Sequence, residues 1–361
     1  MDKLKTTNTL LLILVIPLLF YLLKTLSFIF IPLVFSMFIA LLFLPLMRTL
    51  KKKGVGQNIS IFIAAVIMVI TITIGIQLIK FSIKQMMGVD ESFVQLAEEK
   101  MAVLVHKIDA AVGLDLAEDK SLRKQLLGKS GIFQNIVPTL NFINSTLTMV
   151  LMTIFFAILW LTESINIEKI LNRLLLKSKY SSVKTFMKIE KNLIKFIKVK
   201  FLVSLFTGIG TGLVCYGFDV SFPVFWGLFA FLINFVQMVG SIIAVVTAGL
   251  FGFIELDLGL PILFYILSLT SVQVLFGTIL EPIFMGKSFS INVITILVML
   301  MFWGYVWGVP GLIMSIPLTV FFKIIFEQFP KTQFIAEVIS GKPSKHPLSR
   351  LSTLEKRKNM D

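Results

Sequence analysis

The sequence predicts an all-α, polytopic membrane protein with about eight hydrophobic segments, two of them broken or re-entrant, and a small helical extracytoplasmic insert. Three observations carry this. The 361 residues are 57% hydrophobic, with a mean hydropathy of +0.92, and only 15% are charged against ~25% in an ordinary soluble domain. No single water-soluble core hides that much apolar surface. The apolar residues also fall in long runs with the basic residues gathered between them, so the net charge of +14 reads as positive-inside topology and not as a nucleic-acid footprint.

The runs lie at about 9–23, 25–47, 58–79, 141–161, 201–218, 222–253, 260–280 and 291–326. The first follows a charged start and precedes no small-x-small cleavage site, which predicts an uncleaved first span. Lys24 alone separates the first two runs, so residues 1–79 read as a transmembrane hairpin and a third span. RTLKKK (48–53) holds four basic residues and no acid, a cytoplasmic marker. Residues 80–140 carry eight basic and eight acidic residues, a balance compatible with an extracytoplasmic insert. Within it Phe93, Ala97, Met101, Leu104, Ile108 and Val112 recur at helical spacing, predicting an amphipathic helix; His106 there reads as a surface histidine.

After a span at 141–161, residues 162–200 form a basic cytoplasmic amphipathic region. Lys184, Lys188, Lys191, Lys195 and Lys198, spaced 4, 3, 4 and 3, share one helical face. This suits an interfacial helix on the anionic inner leaflet; a simply solvated basic face is the other reading. Residues 201–327 then form the candidate transport core, and 328–361 a basic cytoplasmic tail. Both termini fall on the cytoplasmic side.

Two segments of the core are too long. Residues 222–253 as one helix would measure about 48 Å at 1.5 Å per residue, against ~30 Å of hydrocarbon. In its middle stands INFVQMVGSII (233–243), with Asn234, Gln237, Gly240 and Ser241 within eight residues. Unpaired amides are costly in lipid, so a break is expected at NFVQMVG. Residues 291–326 would span about 54 Å, and WGVPG (307–311) interrupts them: Pro310 has no N–H to donate, and Gly308 and Gly311 loosen the backbone. Each segment has FWG in its first half, at Phe225–Gly227 and Phe302–Gly304. Paired interrupted segments point to a transporter site, with Asn234 and Gln237 facing a polar cavity at a helix tip. The alternative is hydrogen bonding between helices with no substrate involved.

WGLFAFLINFVQMVG, EPIFMGKSFSINV and FWGYVWGVPGLIMSIPL resemble the C-terminal signature of the AI-2E family, bacterial autoinducer-2 exporter-like permeases. The N-terminal hairpin, basic loop and mid-chain insert follow that family's layout as well. The resemblance implies a bacterial inner-membrane transporter, exporting the quorum-sensing signal autoinducer-2 in some members and exchanging sodium for protons in others. The family's first break usually has Pro three residues after the Asn. Here Gln237 stands in that place, keeping an N–H and adding a polar side chain, so a typical member's substrate does not carry over automatically.

Glu281 ends an apolar span directly before Pro282, and Gly286 and Lys287 follow in the same connector. A carboxylate there suits cation or proton transfer, or an interfacial pair with Lys287. Trp226, Trp303 and Trp307 suit either stacking on a sugar-like ligand or interfacial anchoring. Lys24, Lys80 and Lys323 sit near segment ends, where they can snorkel. One cysteine, Cys215, and two distant histidines offer no metal site, and no cofactor motif or nucleophile constellation points to an enzyme. The expected function is a permease exporting a small polar molecule by alternating access around the two broken segments. A monovalent cation–proton antiporter using Glu281 is one alternative, and a non-transporting scaffold or sensor is another. Expected partners are anionic lipids, the small-molecule or cation substrate and a homo-oligomer, with no nucleic acid.

Overall fold

The computed structural model describes residues 2–87, 99–100, 148–163, 181–236, 239–257, 259–286, 291–329 and 332–341. These residues are helical, with no strand among them. In chain order the helices are α1 (Asp2–Thr25), α2 (Ser27–Lys52), α3 (Gln57–Met87), α4 (Thr148–Glu163), α5 (Ser181–Gly217), α6 (Pro223–Ile233), α7 (Val239–Glu255), α8 (Leu260–Met285), α9 (Val293–Phe326) and α10 (Gln333–Ser340). Five stretches are long and apolar enough to cross a membrane: Ser27–Lys52, Gln57–Gln85, Met187–Gly217, Leu260–Met285 and Val293–Phe326. The joint between α1 and α2 is a single residue, Leu26, whose N–H bonds Leu22 (2.8 Å) and whose carbonyl accepts from Phe30 (3.1 Å). Helix α3 runs seven residues past Lys80; Phe93, Ala97, Met101, Leu104, Ile108 and Val112, the predicted amphipathic face, lie outside the described residues.

The basic stretch does not form a helix of its own. Ser181–Gly217 is one helix of 37 residues, so the lysine-bearing half continues directly into the apolar half. No residue between 181 and 217 is a proline, and nothing in the sequence forces a stop. Lys188, Lys191, Lys195 and Lys198 are exposed along it; Lys184 lies in its first turn.

By their contacts the residues divide into two compact units. The first comprises Met1–Arg48, Trp160–Lys200 and Pro282–Asp361. Here α1 packs on α9 through Phe20 and Phe302, edge to face at 4.9 Å. The Trp307 indole N–H donates to the Leu23 carbonyl at 3.0 Å. Lys24 is exposed, and its ammonium sits 3.7 Å from the centre of the Tyr305 ring, a cation–π pairing. Lys323, by contrast, is buried and paired with Glu327 at 3.2 Å. Arg48 at the end of α2 holds Glu190 of α5 at 2.6 Å. Helix α10 straps the start of α9, since Asn292 donates its backbone N–H to Ile339 (2.9 Å) and caps Ile294 with its side chain (3.2 Å).

The second unit comprises Thr49–Leu159 and Phe201–Glu281. Lipid offers no hydrophobic drive between helices, so close packing at small residues substitutes for it. A Cβ on Gly208 would lie 2.7 Å from the Gly227 carbonyl oxygen, and one on Gly227 would lie 2.8 Å from that of Gly208. The backbones of α5 and α6 therefore touch. Helices α5 and α8 run antiparallel, because Cys215 meets Tyr265 (3.4 Å), Gly210 meets Val272 and Phe206 stacks on Phe276 (5.9 Å). Around the first of these contacts Cys215, Val220, Trp226, Ala248, Tyr265 and Leu269 form a buried cluster. Glu255 is a clasp: its carboxylate accepts the Ser221 N–H at 2.6 Å, joining the end of α7 to the entry of α6.

Replacing Gly208 by Ala pushes a methyl group into a carbonyl that cannot move aside. The expected cost is about 1–3 kcal/mol, read as a lowered melting temperature of the full chain in detergent. Gly56→Ala, where nothing lies within 4 Å of the new atom, is expected to leave the melting temperature unchanged.

Candidate functional site

The first overlong segment is broken where its polar residues stand. Helix α6 ends at Ile233 and α7 begins at Val239, giving arms of about 16 and 26 Å. The arms lie alongside each other: Trp226 and Phe222 on the entry side approach Phe251 near the far end of α7, at 5.2 and 5.6 Å between rings. The segment is thus a helical hairpin. At its tip Val236 donates to Ile233 (2.9 Å) and Gly240 to Val236 (2.8 Å). The α-carbon of Gly240 rests so close to the Ile233 carbonyl that any Cβ would collide with it. Only glycine permits that approach.

Asn234 is buried and caps α6, with its own N–H bonded to Ala230. Its amide nitrogen donates to Ser204 Oγ of α5 at 3.0 Å, so a buried amide that lipid could not satisfy is satisfied by a neighbouring helix. Ser241, on the first turn of α7, lies against Gly277 of α8, where a Cβ would be 3.6 Å from its hydroxyl. Asn234, Gly240 and Ser241 are therefore brought together, with α5 on one side and α8 on the other. Gln237 lies outside the described residues.

Helix α8 is irregular in the turns before Glu281. On an uninterrupted α-helix Glu281 would stand about 160° around the axis from the buried Tyr265. Val274–Leu280 instead wind as a π-helix, closed by the Glu281 N–H to the Phe276 carbonyl, and the extra residue per turn rotates the chain back. Glu281 is only 3% exposed, and its side chain is not left without a partner. Pro282 and Gly286 follow, both exposed; Lys287 lies outside the described residues.

The second break falls at Gly308 and not at the proline. Gly308 has φ 62° and ψ −138°, a conformation that side chains exclude, whereas Pro310 sits in the first turn of the following arm, where its missing N–H costs little. The two arms bend sharply toward each other: a Cβ on Gly311 would collide with the Trp303 carbonyl, and one on Gly304 would lie 2.8 Å from Leu312. Residues eight apart on a straight helix are separated by about 12 Å. Both breaks thus set a glycine, Gly240 or Gly311, on a carbonyl of the preceding arm. The FWG motifs are used differently, Gly227 against α5 and Gly304 against its own returning arm. Trp226, Trp303 and Trp307 are all buried against protein.

Sequence reasoning does not single out the face of α5 that meets the tip. Ser204, Thr207, Thr211 and Cys215, spaced 3, 4 and 4, are all buried, and Gln273 of α8 is buried with them in the same unit. Their helical spacing within an apolar run is the feature that could have found them.

Comparison with known proteins adds a family. The model described as AI-2E family transporter matches residues 10–331. A "Putative transport protein" of Haemophilus influenzae is 23% identical over 84% of this chain and 87% of its own length. A protein of the same name from Borreliella burgdorferi is 35% identical over 45% of each chain. The AI-2 transport protein TqsA of Escherichia coli is 33% identical over 40% of this chain and 42% of its own. The match thus spans less than half the length of the latter two relatives.

If the Asn234–Ser204 bond holds the tip, Ser204→Ala and Asn234→Ala are expected to destabilise the protein non-additively. A double-mutant cycle on melting in detergent should give a coupling of about 0.5–1.5 kcal/mol; additive effects would show that the bond contributes nothing.

Proposed function

We propose that this chain, which belongs to the AI-2E transporter family, moves a small polar molecule outward across a bacterial inner membrane by alternating access. The observation that carries this reading is the first hairpin tip, where Asn234, Gly240 and Ser241 put a buried amide, a hydroxyl and irregular backbone in the middle of an apolar chain. Non-helical backbone at membrane depth is tolerated where it lies in protein or lines a polar path, and discontinuous helices are the usual site builders in transporters. On this reading the hairpin is re-entrant, its arms each being shorter than the ~30 Å of hydrocarbon. TqsA carries the name of an AI-2 transport protein, which makes autoinducer-2 the first substrate to try. The basic tracts favour cytoplasmic termini, with Lys184 to Lys198 on anionic lipid headgroups and the exposed apolar faces available for self-association.

One observation favours a second reading, a monovalent cation–proton antiporter: Glu281 is a carboxylate buried at 3% exposure beside a π-helical turn, and such groups serve ion transfer.

Everted vesicles containing the protein separate the two. Under small-molecule export, labelled autoinducer-2 accumulates inside, Asn234→Ala lowers the rate at least about tenfold, and added Na⁺, Li⁺ or K⁺ leaves the pH gradient intact. Under antiport, added cation collapses the gradient and Glu281→Gln abolishes the collapse. Full activity of both kinds in Asn234→Ala would remove the tip from the pathway.

A further inference from the structure

Among the described residues, five buried side-chain nitrogen or oxygen atoms lack a hydrogen-bond partner, and three of them belong to one layer of the second unit: Thr211 Oγ1, Trp226 Nε1 and Gln273 Oε1. Each side chain's residue is more than nine-tenths buried, at 2%, 8% and 6% exposure. They come from three elements that meet. Thr211 on α5 and Gln273 on α8 flank the Gly210–Val272 contact, and on antiparallel helices that places them within about one turn of the same level. Trp226 of α6 belongs to the cluster with Cys215, Tyr265 and Leu269, one turn along α5 from Thr211 and along α8 from Gln273. Its neighbour Gly227 lies on Gly208 and Gly212.

The three atoms depart from what the rest of the chain does. Thr71, Thr153, Thr207, Thr247, Thr270 and Thr319 all turn their hydroxyls back to the carbonyl four residues earlier, the ordinary way to satisfy a hydroxyl in an apolar helix. Thr211 does not. The Trp307 indole finds a carbonyl; that of Trp226 does not. Gln273 immediately precedes the π-helical turn, an irregularity that recurs at functional sites. Buried groups left without partners call for an explanation.

We propose that Thr211, Trp226 and Gln273 form a binding layer for a neutral, hydroxyl-bearing solute, about two helical turns along α5 from the Ser204–Asn234 tip. The chemistry of the three atoms selects the class. Gln273 Oε1 only accepts, the indole N–H only donates, and a threonine hydroxyl does both. A cation would satisfy the two oxygens but be repelled by the indole N–H. An anion would satisfy the N–H and be repelled by Gln273 Oε1. A hydroxyl group donates and accepts, and so completes all three. The layer deepens the export reading and rests on it.

The test is uptake of radiolabelled xylitol and of ²²Na⁺ by proteoliposomes of the full chain, with melting temperatures measured on the same preparations. Thr211→Val and Gln273→Leu keep shape and remove the stranded polar atoms. They are expected to melt at the same temperature or higher while slowing xylitol uptake at least tenfold, with Trp226→Phe showing a smaller loss. Gln273→Glu is expected to shift preference from xylitol toward ²²Na⁺. Uptake of xylitol unchanged in Thr211→Val and Gln273→Leu, or a wild-type protein that passes ²²Na⁺ and no xylitol, would overturn the proposal. Loss of uptake in Asn234→Ala with no effect of these two variants removes the layer and leaves the export reading standing. The reverse pattern keeps the layer and removes the tip.

Discussion

A carbonyl with no room beside it for a methyl group is the constraint on which the first hairpin depends. The Ile233 carbonyl ends one arm and the α-carbon of Gly240 begins the other, in direct contact. With a side chain at 240 the arms could not close at this spacing. The Asn234 amide is then fixed toward Ser204, and Ser241 is carried to the π-helical turn of α8. At the other end Glu255 holds the turn that enters α6. The hairpin is thus clamped at tip and base by polar contacts, and along its length by rings.

The same reliance on close backbone contact extends through the second unit. Gly208 and Gly227 let α5 and α6 touch, and Gly252 leaves room for the Tyr265 ring, whose hydroxyl reaches the Ala248 carbonyl at 3.2 Å. Where lipid surrounds the bundle, packing and hydrogen bonds carry the stability that burial from water supplies in a soluble core. One consequence is that helix α5 can turn a face of hydroxyls inward without penalty, provided each hydroxyl finds a partner. Ser204 and Thr207 do.

The positions of the helices were legible because long apolar runs leave few alternatives: the described part of each run is helical or turns between helices, and the interruption at NFVQMVG was visible as polar residues and a glycine inside an apolar run of 32 residues. The second break was visible in its residues but not in its detail. Pro310 draws attention, yet the chain turns at Gly308, because proline is at ease in a first helical turn and a φ of 62° is not open to other residues. Charge patterning marked Lys188 to Lys198 as a face and could not show that the helix continues into the next apolar run, since the absence of a stop signal is weak information. Lys24 and Lys323 lie near segment ends, where snorkelling is the general rule, but their partners, Tyr305 and Glu327, are specific to this fold. The π-helical turn before Glu281 has no sequence signature, and without it the burial of that carboxylate could not be anticipated from helical phase.

The fold-back of residues 222–255 is what joins the polar tip to the buried faces of α5 and α8, and cross-linking tests it most directly. In a Cys215→Ser background, Phe222→Cys and Phe251→Cys put two thiols at the bases of rings that meet at 5.6 Å, within the span of a short bismaleimide; on a straight helix 29 residues would separate them by about 43 Å. Rapid cross-linking by the bismaleimide in membranes, within one chain by gel mobility, is the predicted result. No intrachain cross-link in protein that remains folded and labelled at both cysteines would contradict the hairpin.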